Sequence, residues 1–256
     1  MTHPAGLRVV PVRTPTLPPA THTNCYVLDG KTVVDPASPW ADEQERLATE
    51  LQGEPLERIV LTHHHLDHVS GAVDLAKRRG LPIAAHPLTA ERVDFDVDIL
   101  LNEGDSLHGW ELLHTPGHAA GHLCFLRDLE MVCGDMVAGV GTILIEPGEG
   151  DLGTYLASLQ RMTTFGPFRL WPAHGPAMPA GVAKLHEYIA HRNRRTDQVR
   201  SALSKGPGTP IELVAQVYGD TIPKFVYPLA ARQLLCHLEW LSAAGEAHLD
   251  GERWHA

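Results

Sequence analysis

The sequence predicts an α+β protein: a large body of short strands and flanking helices to about residue 180, then a small domain of three helices and a terminal hairpin. Three observations support this. Apolar runs before residue 180 are short and bounded by Gly, Pro, Asn and Asp, as brief strands and helices are. Beyond Pro179 the apolar spacing becomes helical, and Asp250-Gly251 separates two last short apolar segments. The length, 256 residues with 43% apolar and 20% charged side chains, suits one large domain with an appendage.

In order, residues 7–13 and 24–28 read as strands, and residues 31–34 follow the tight-turn pair Asp29-Gly30. Residues 40–51 form an amphipathic helix, and 58–61 a short strand that runs into Thr62-His63-His64-His65-Leu66-Asp67-His68. A helix over 71–79, a strand over 82–85 and a short helix over 88–93 complete the first half. Strands at 110–113, 123–126, 131–132 and 169–171 follow, with a helix over 155–162. The tail holds helices at 182–203, 211–217 and 229–244, the second opened by Thr209-Pro210 in cap and first-turn positions. Segments 247–249 and 253–254 pair as a wing. The organisation is therefore residues 1–180 and 181–256, the latter a winged helix.

The formal net charge is −10. Residues 1–180 carry 12 Lys and Arg against 23 Asp and Glu, whereas the tail is close to neutral. An acidic body is a poor general attractor of nucleic acid. No stretch is long and apolar enough to span a bilayer, and residues 1–20 lack the apolar core of a signal peptide. Cys25, Cys124, Cys133 and Cys236 are scattered and form no C-x-x-C pair. These features predict a cytoplasmic protein with no membrane partner.

Seventeen histidines are the strongest compositional signal, since imidazole is both a metal ligand and an acid–base group. His63-x-His65-x-Asp67-His68 sets four ligand-type side chains in six residues. Alternation at a strand end points His63 and His65 the same way; Asp67 and His68 come round the turn toward a second position. Imidazole and carboxylate suit zinc and similar ions. His118, Asp135 and His174 lie at strand ends beside Gly or Pro, where tight turns can bring them to a shared site. His64 is expected to point away. His114 and His122 flank a ligand and either orient it or pack; His22 and His86 are candidate substrate contacts. His3, His108, His186, His191, His237, His248 and His255 are expected at the surface.

Thr62–His68, Thr115-Pro116-Gly117-His118, Gly134-Asp135 and Ala173-His174-Gly175 together resemble the metallo-β-lactamase superfamily, over residues 7–180 and in order. The resemblance implies an αββα sandwich with two divalent metal ions, zinc foremost and iron or manganese as alternatives. It assigns His63, His65 and His118 to the first ion, Asp67, His68 and His174 to the second, and Asp135 to both. Asp35 would support the histidine loop. The implied chemistry is hydrolysis by a metal-activated hydroxide, with Asp67 and Asp135 placed to hold it or to move its proton. Asp135 stands where zinc β-lactamases of the main class have cysteine, and Cys133 is expected on the opposite strand face, which argues against antibiotic hydrolysis.

Gly141-Thr142, Tyr155–Leu159, Ala173–Pro176 and Glu187–Arg192 are similar to the β-lactamase-like-protein-2 group, which carries a winged-helix tail. That group implies two activities. The first is hydrolysis of an ester or thioester: an acyl thioester, a hydroxyacylglutathione-like compound or a lactone, free or carried on a carrier protein. It fits the acidic body and the apolar loop 136–145, a candidate acyl pocket. The second is cleavage of single-stranded RNA, which rests on the tail and on Arg192-Asn193-Arg194-Arg195; such a run is more often a solvated helix face. Arg232 and Gln233 are all that the helix at 229–244 would offer a phosphate backbone, and no RNP-type aromatic motif is present. The tail is expected to bind RNA, to wall the site or to make a dimer contact, in a monomer or homodimer.

Overall fold

The structure, a computed structural model, describes residues 4–256, so His3 lies outside the described residues. The body is two six-stranded sheets face to face, with helices on both outer faces. The first sheet runs in sequence order: β1 (Leu7–Arg13), β2 (His22–Leu28), β3 (Thr32–Val34), β4 (Arg58–Val60), β5 (Ile83–Ala85) and β6 (Ile99–Leu100). β1 to β3 are antiparallel and β3 to β6 parallel. The β2–β3 turn uses Asp29 and Gly30, both at positive φ (52° and 68°), the geometry of a tight hairpin.

The second sheet holds β7 (Ser106–Leu107), β8 (Trp110–His114), β9 (Leu123–Arg127), β10 (Glu130–Gly134), β11 (Arg169–Pro172) and β12 (Met178–Pro179), again in order. Helices α1 (Ala41–Glu50), α2 (Leu66–Val69), α3 (Ala72–Arg79) and α4 (Pro87–Ala90) belong to the first half of the body, and α5 (Leu152–Thr164) to the second.

Burial of both sheet faces explains why the strands read as continuous apolar runs. In β2, Tyr26 and Leu28 pack between the sheets with Trp110, Phe125 and Val132, while Cys25 and Val27 face outward beneath Leu47 and Leu75 of α1 and α3. In the second sheet Cys124, Met131 and Cys133 face outward against Tyr155, Leu159 and Met162 of α5.

The tail comprises α6 (Gly181–Leu203), α7 (Pro210–Tyr218), α8 (Tyr227–Ala243) and the hairpin β13 (His248–Asp250) and β14 (Arg253–His255), a winged-helix arrangement. Thr209 and Glu212 form a reciprocal capping box at the start of α7. Val199, Leu213, Leu234, Leu238 and Trp254 build the tail's own core. Among the described residues no helix is long and apolar enough to cross a membrane.

Candidate metal centre

All the candidate ligands leave strands at one edge of the sandwich. Beyond β4 the chain turns at Thr62, which Asp35 fixes: Thr62 N donates to Asp35 Oδ1 (2.8 Å) and Thr62 Oγ1 to Asp35 Oδ2 (2.6 Å). His63 and His65 then project together, Nε2 to Nδ1 2.9 Å, while α2 carries Asp67 and His68 around the turn. From the second sheet come His118, between β8 and β9, Asp135 just after β10, and His174 just after β11. β10 and β11 are parallel, so their ends coincide.

Two glycines make this convergence possible. Gly117 sits at φ 130°, and a Cβ there would lie 2.3 Å from the Tyr155 backbone, so α5 holds the turn that aims His118. Gly134, at φ 47°, leaves space for His122; a Cβ would meet His122 Nε2 at 2.4 Å. That nitrogen accepts from Asp135 N (3.1 Å), with His122 Nδ1 on Thr115 Oγ1 (2.8 Å). His122 therefore orients the Asp135 backbone rather than merely packing.

The seven predicted residues come together. His118 Nε2 is 3.2 Å from His63 Nε2. Asp135 reaches His68 Nε2 (3.7 Å), His118 Nε2 (3.6 Å) and His174 Nε2 (3.4 Å). Asp67 reaches His174 Nε2 (3.5 Å) and His68 Nε2 (4.0 Å). Around a tetrahedral zinc, ligand atoms stand roughly 3.3 Å apart, as follows from its usual bond lengths.

The outward nitrogens decide what the inward ones carry. His63 Nδ1 meets Thr62 Oγ1 (2.9 Å), whose own hydrogen goes to Asp35. His68 Nδ1 meets Asp35 Oδ2 (2.8 Å) and His65 Nε2 meets Glu149 Oε2 (3.0 Å). His118 Nδ1 meets Leu144 O (2.8 Å) and His174 Nδ1 meets His22 O (3.1 Å). Each partner can only accept, so each outward nitrogen carries the hydrogen. In the neutral imidazole the inward nitrogen is then a bare lone pair. Five lone pairs and two carboxylates facing one another have no hydrogens to share, an arrangement that cations satisfy. His68 Nε2 and Asp135 Oδ1 are buried without a hydrogen-bond partner. The donor set fits divalent metal ions.

Electrostatics point the same way. Burial pushes the His63 imidazole well below its usual pKa, aided by His68, His65 and His118, and lowers His118 to about 4. Burial opposes charge on His68, but Asp135, Asp35 and Asp67 outweigh it and raise its pKa well above the usual value. Asp135 is buried, yet His174 and His68 hold it well below the usual carboxylate range. This half of the cluster favours positive charge, which a proton or a metal ion can supply.

The cluster floors a cavity of about 580 Å³, walled by residues 15–20, by the 138–146 loop and by the tail. The loop is held in alternation: Arg192 donates to Ile143 O, His118 to Leu144 O, and Ile145 N donates to Gln233 Oε1 (3.0 Å). Arg232 is paired with Glu146.

His64, expected to point away, stays outside the seven, its Nε2 3.5 Å from Glu149. Other sequence expectations are revised. His86 caps α4 and stacks on His114 (4.1 Å), away from the cavity; the His22 side chain bonds Thr21, and only its backbone oxygen serves the site. His237 is fully buried, not at the surface, bonded to Thr196 Oγ1 (2.8 Å). The Arg192–Arg195 run is only in part a solvated face: Asn193 and Arg194 are exposed, whereas Arg192 is 2% exposed and lies over Tyr155, and Arg195 stacks on Tyr218 at 3.9 Å. Gln233 is buried against the body. Glu149 went unread in the sequence, since a glutamate in a glycine-rich loop carries no periodic signal.

Residues 18–93 match the metallo-beta-lactamase superfamily and residues 209–254 the beta-lactamase associated winged helix domain. The chain is 31% identical to an atrochrysone carboxyl ACP thioesterase of Claviceps purpurea, covering 81% of this chain and 70% of that one. It is 28% identical to the beta-lactamase-like protein 2 homolog of Drosophila melanogaster, covering 75% and 70%. Among solved structures, a metallo-beta-lactamase family protein of Thermus thermophilus shares the fold, with a TM-score of 0.80 over 98% of both chains at 24% identity. Another, solved in a di-iron-bound form, is 28% identical over 68% of this chain and 96% of its own, with a TM-score of 0.55.

Proposed function

Since the chain belongs to the metallo-beta-lactamase superfamily, and is a hydrolase of it with the associated winged helix, we propose that it is a dinuclear enzyme that hydrolyses ester or thioester bonds, acyl thioesters foremost. The observation that carries this is the set of five imidazole lone pairs and two carboxylates, each imidazole pinned from behind, at the floor of a largely apolar cavity. His63, His65 and His118 would hold one ion, Asp67, His68 and His174 the other, and Asp135 both. Zinc is the first choice and iron or manganese the alternatives. Bound ions of this kind lower the pKa of water and polarise a carbonyl oxygen.

The chain's own groups do the rest. Asp67, a fifth exposed, opens into the cavity; one of its carboxylate oxygens takes the proton of the attacking water and returns it to the leaving thiolate. The more buried Asp135 stays ionised and fixes the geometry of His68, His118 and His174. The apolar part of the 138–146 loop excludes water beside the carbonyl.

The thioesterase named among the relatives supports a thioester, free or on a carrier protein. Four unpaired thiols suit a cytoplasmic setting, and the division between catalytic body and tail is drawn at residues 180 and 181. The competing activity, cleavage of single-stranded RNA, is disfavoured by the burial of Arg192 and the stacking of Arg195. One comparison tests the reading: thioesters and lactones against a fluorescent single-stranded RNA, on the same metal-loaded preparation. Thioester turnover that chelation abolishes is expected. RNA cleavage that falls with salt and disappears in Arg194→Ala/Arg195→Ala would overturn it.

A further inference from the structure

α8 has two working faces. Ala230, Leu234, Leu238 and Leu241 recur at helical spacing and fill the tail's own core. Positions 229, 233, 236 and 240, with Val226 at the N-cap three residues before them, recur in steps of three and four, a second stripe turned toward the catalytic body. The body buries two of these and touches a third, Trp240, which stays 40% exposed. Gln233 bonds Ile145, Cys236 lies in the core beside Tyr155 and Leu159, and the Trp240 ring lies so close to Gly153 that a Cβ there would meet it at 2.2 Å. Val226 and Leu229 have the cavity in front of them instead. Both are half-buried, and Leu17 and Ile143 line other parts of the same cavity.

We propose that the C-terminal domain selects the acyl group of the substrate, with Val226 and Leu229 as the wall along which its apolar chain lies. The proposal rests on the thioester reading above. His65, Asp67, His118, Asp135 and His174 line the floor of the cavity, where a carbonyl would sit; on the tail side Gln233 is bonded to Ile145 and the Tyr218 ring lies under Arg195. The tail's lining cation, Arg232, is occupied by Glu146. A saturated chain matches the wall, and about 580 Å³ falls within the range of small-molecule sites.

The test is a chain-length series of acyl thioesters, from acetyl to dodecanoyl, on the full metal-loaded protein and on Leu229→Trp and Leu229→Ala. Metal content and thermal melting are measured in parallel. In the unaltered protein kcat/KM should rise about fourfold per added methylene until the wall is covered. Leu229→Trp should lower the decanoyl-to-acetyl ratio about tenfold or more, and Leu229→Ala by several-fold. Independently of turnover, calorimetry should detect binding of the unhydrolysable S-decyl-N-acetylcysteamine to the metal-free protein, at least about tenfold weaker in Leu229→Trp. A flat chain-length profile, or an unchanged one in both variants at full metal content, overturns the wall and leaves the thioesterase standing. Loss of S-decyl binding in Leu229→Trp without thioester turnover by any form supports the wall and overturns the thioesterase.

Discussion

Replacing Asp35 by asparagine exchanges one carboxylate oxygen for an NH2 group and should empty half of the metal centre. The carboxylate is 2% exposed and accepts from Thr62 N, Thr62 Oγ1 and His68 Nδ1. Its backbone φ of 51° is tolerated by Asn as by Asp, so Asp35→Asn does not strain the chain. With the new NH2 in place of Oδ2, two donors confront it. His68 can respond only by moving its hydrogen from Nδ1 to Nε2, the nitrogen that faces Asp135. The inward lone pair is then lost. Loss of the charge-assisted bond to His68 costs about 1.5–3 kcal/mol, which is roughly a tenfold to hundredfold weaker hold on the ion of Asp67, His68 and His174. Competition titration with a chromophoric chelator and metal analysis after dialysis would read this as retention of about one ion rather than two. Nitrogen-15 spectra of the imidazoles would report the tautomer. Two ions at unaltered affinity, with His68 still protonated at Nδ1, would refute the reasoning.

Three further outcomes follow from the same geometry. His63→Ala should lower kcat/KM about a thousandfold, the scale of losing a group that organises the transition state, while His64→Ala changes it less than about tenfold; equal effects would remove the ligand assignment. Glu149→Gln should weaken metal binding about tenfold, the low end for an outer partner, because its side chain is 44% exposed; a metal titration identical to that of the unaltered protein would exclude an orienting role on His65. In the tail, burial, then Arg192, Arg195 and His191, lower the His237 pKa from 6.5 to about 3. Below pH 6.5 the unfolded chain gains a proton there that the folded chain refuses. Stability contributed by this site is therefore complete above pH 6.5 and falls with pH, by about 2 kcal/mol at pH 5. Urea titrations at pH 7.5 and pH 5 should show that loss shrinking by about this amount in His237→Gln, and an unchanged difference would exclude the residue as its source.

The seven residues that converge were legible because metal-binding chemistry concentrates into a few residue types at constrained positions. His63 to His68 share one strand end, and His118, Asp135 and His174 each follow a turn that glycine or proline marks. Most strands and helices were legible from apolar runs, to within a few residues at their ends. β6, β7 and β12 were not, since two residues carry no period. The groups behind the histidines were largely invisible for a different reason: Leu144 and His22 act through backbone oxygens, which every residue has. His237 and Arg192 could have been found. His237 falls between Leu234 and Leu241 on the buried stripe of α8, and Arg192 between Leu185 and Val199 on that of α6. Residue type suggested solvent for both, and helical register, the stronger signal, placed them inside.

Three successive peptide units, at residues 143–145, have contrary allegiances. The outer two are moored to the tail through Arg192 and Gln233, and the middle one aims His118. A sandwich shorn of its last domain would keep its strands but let that mooring go slack, and a histidine would lose its bearing. Drift in the packing of α6 or α8 would thus reach the His118 imidazole through residues 143–145.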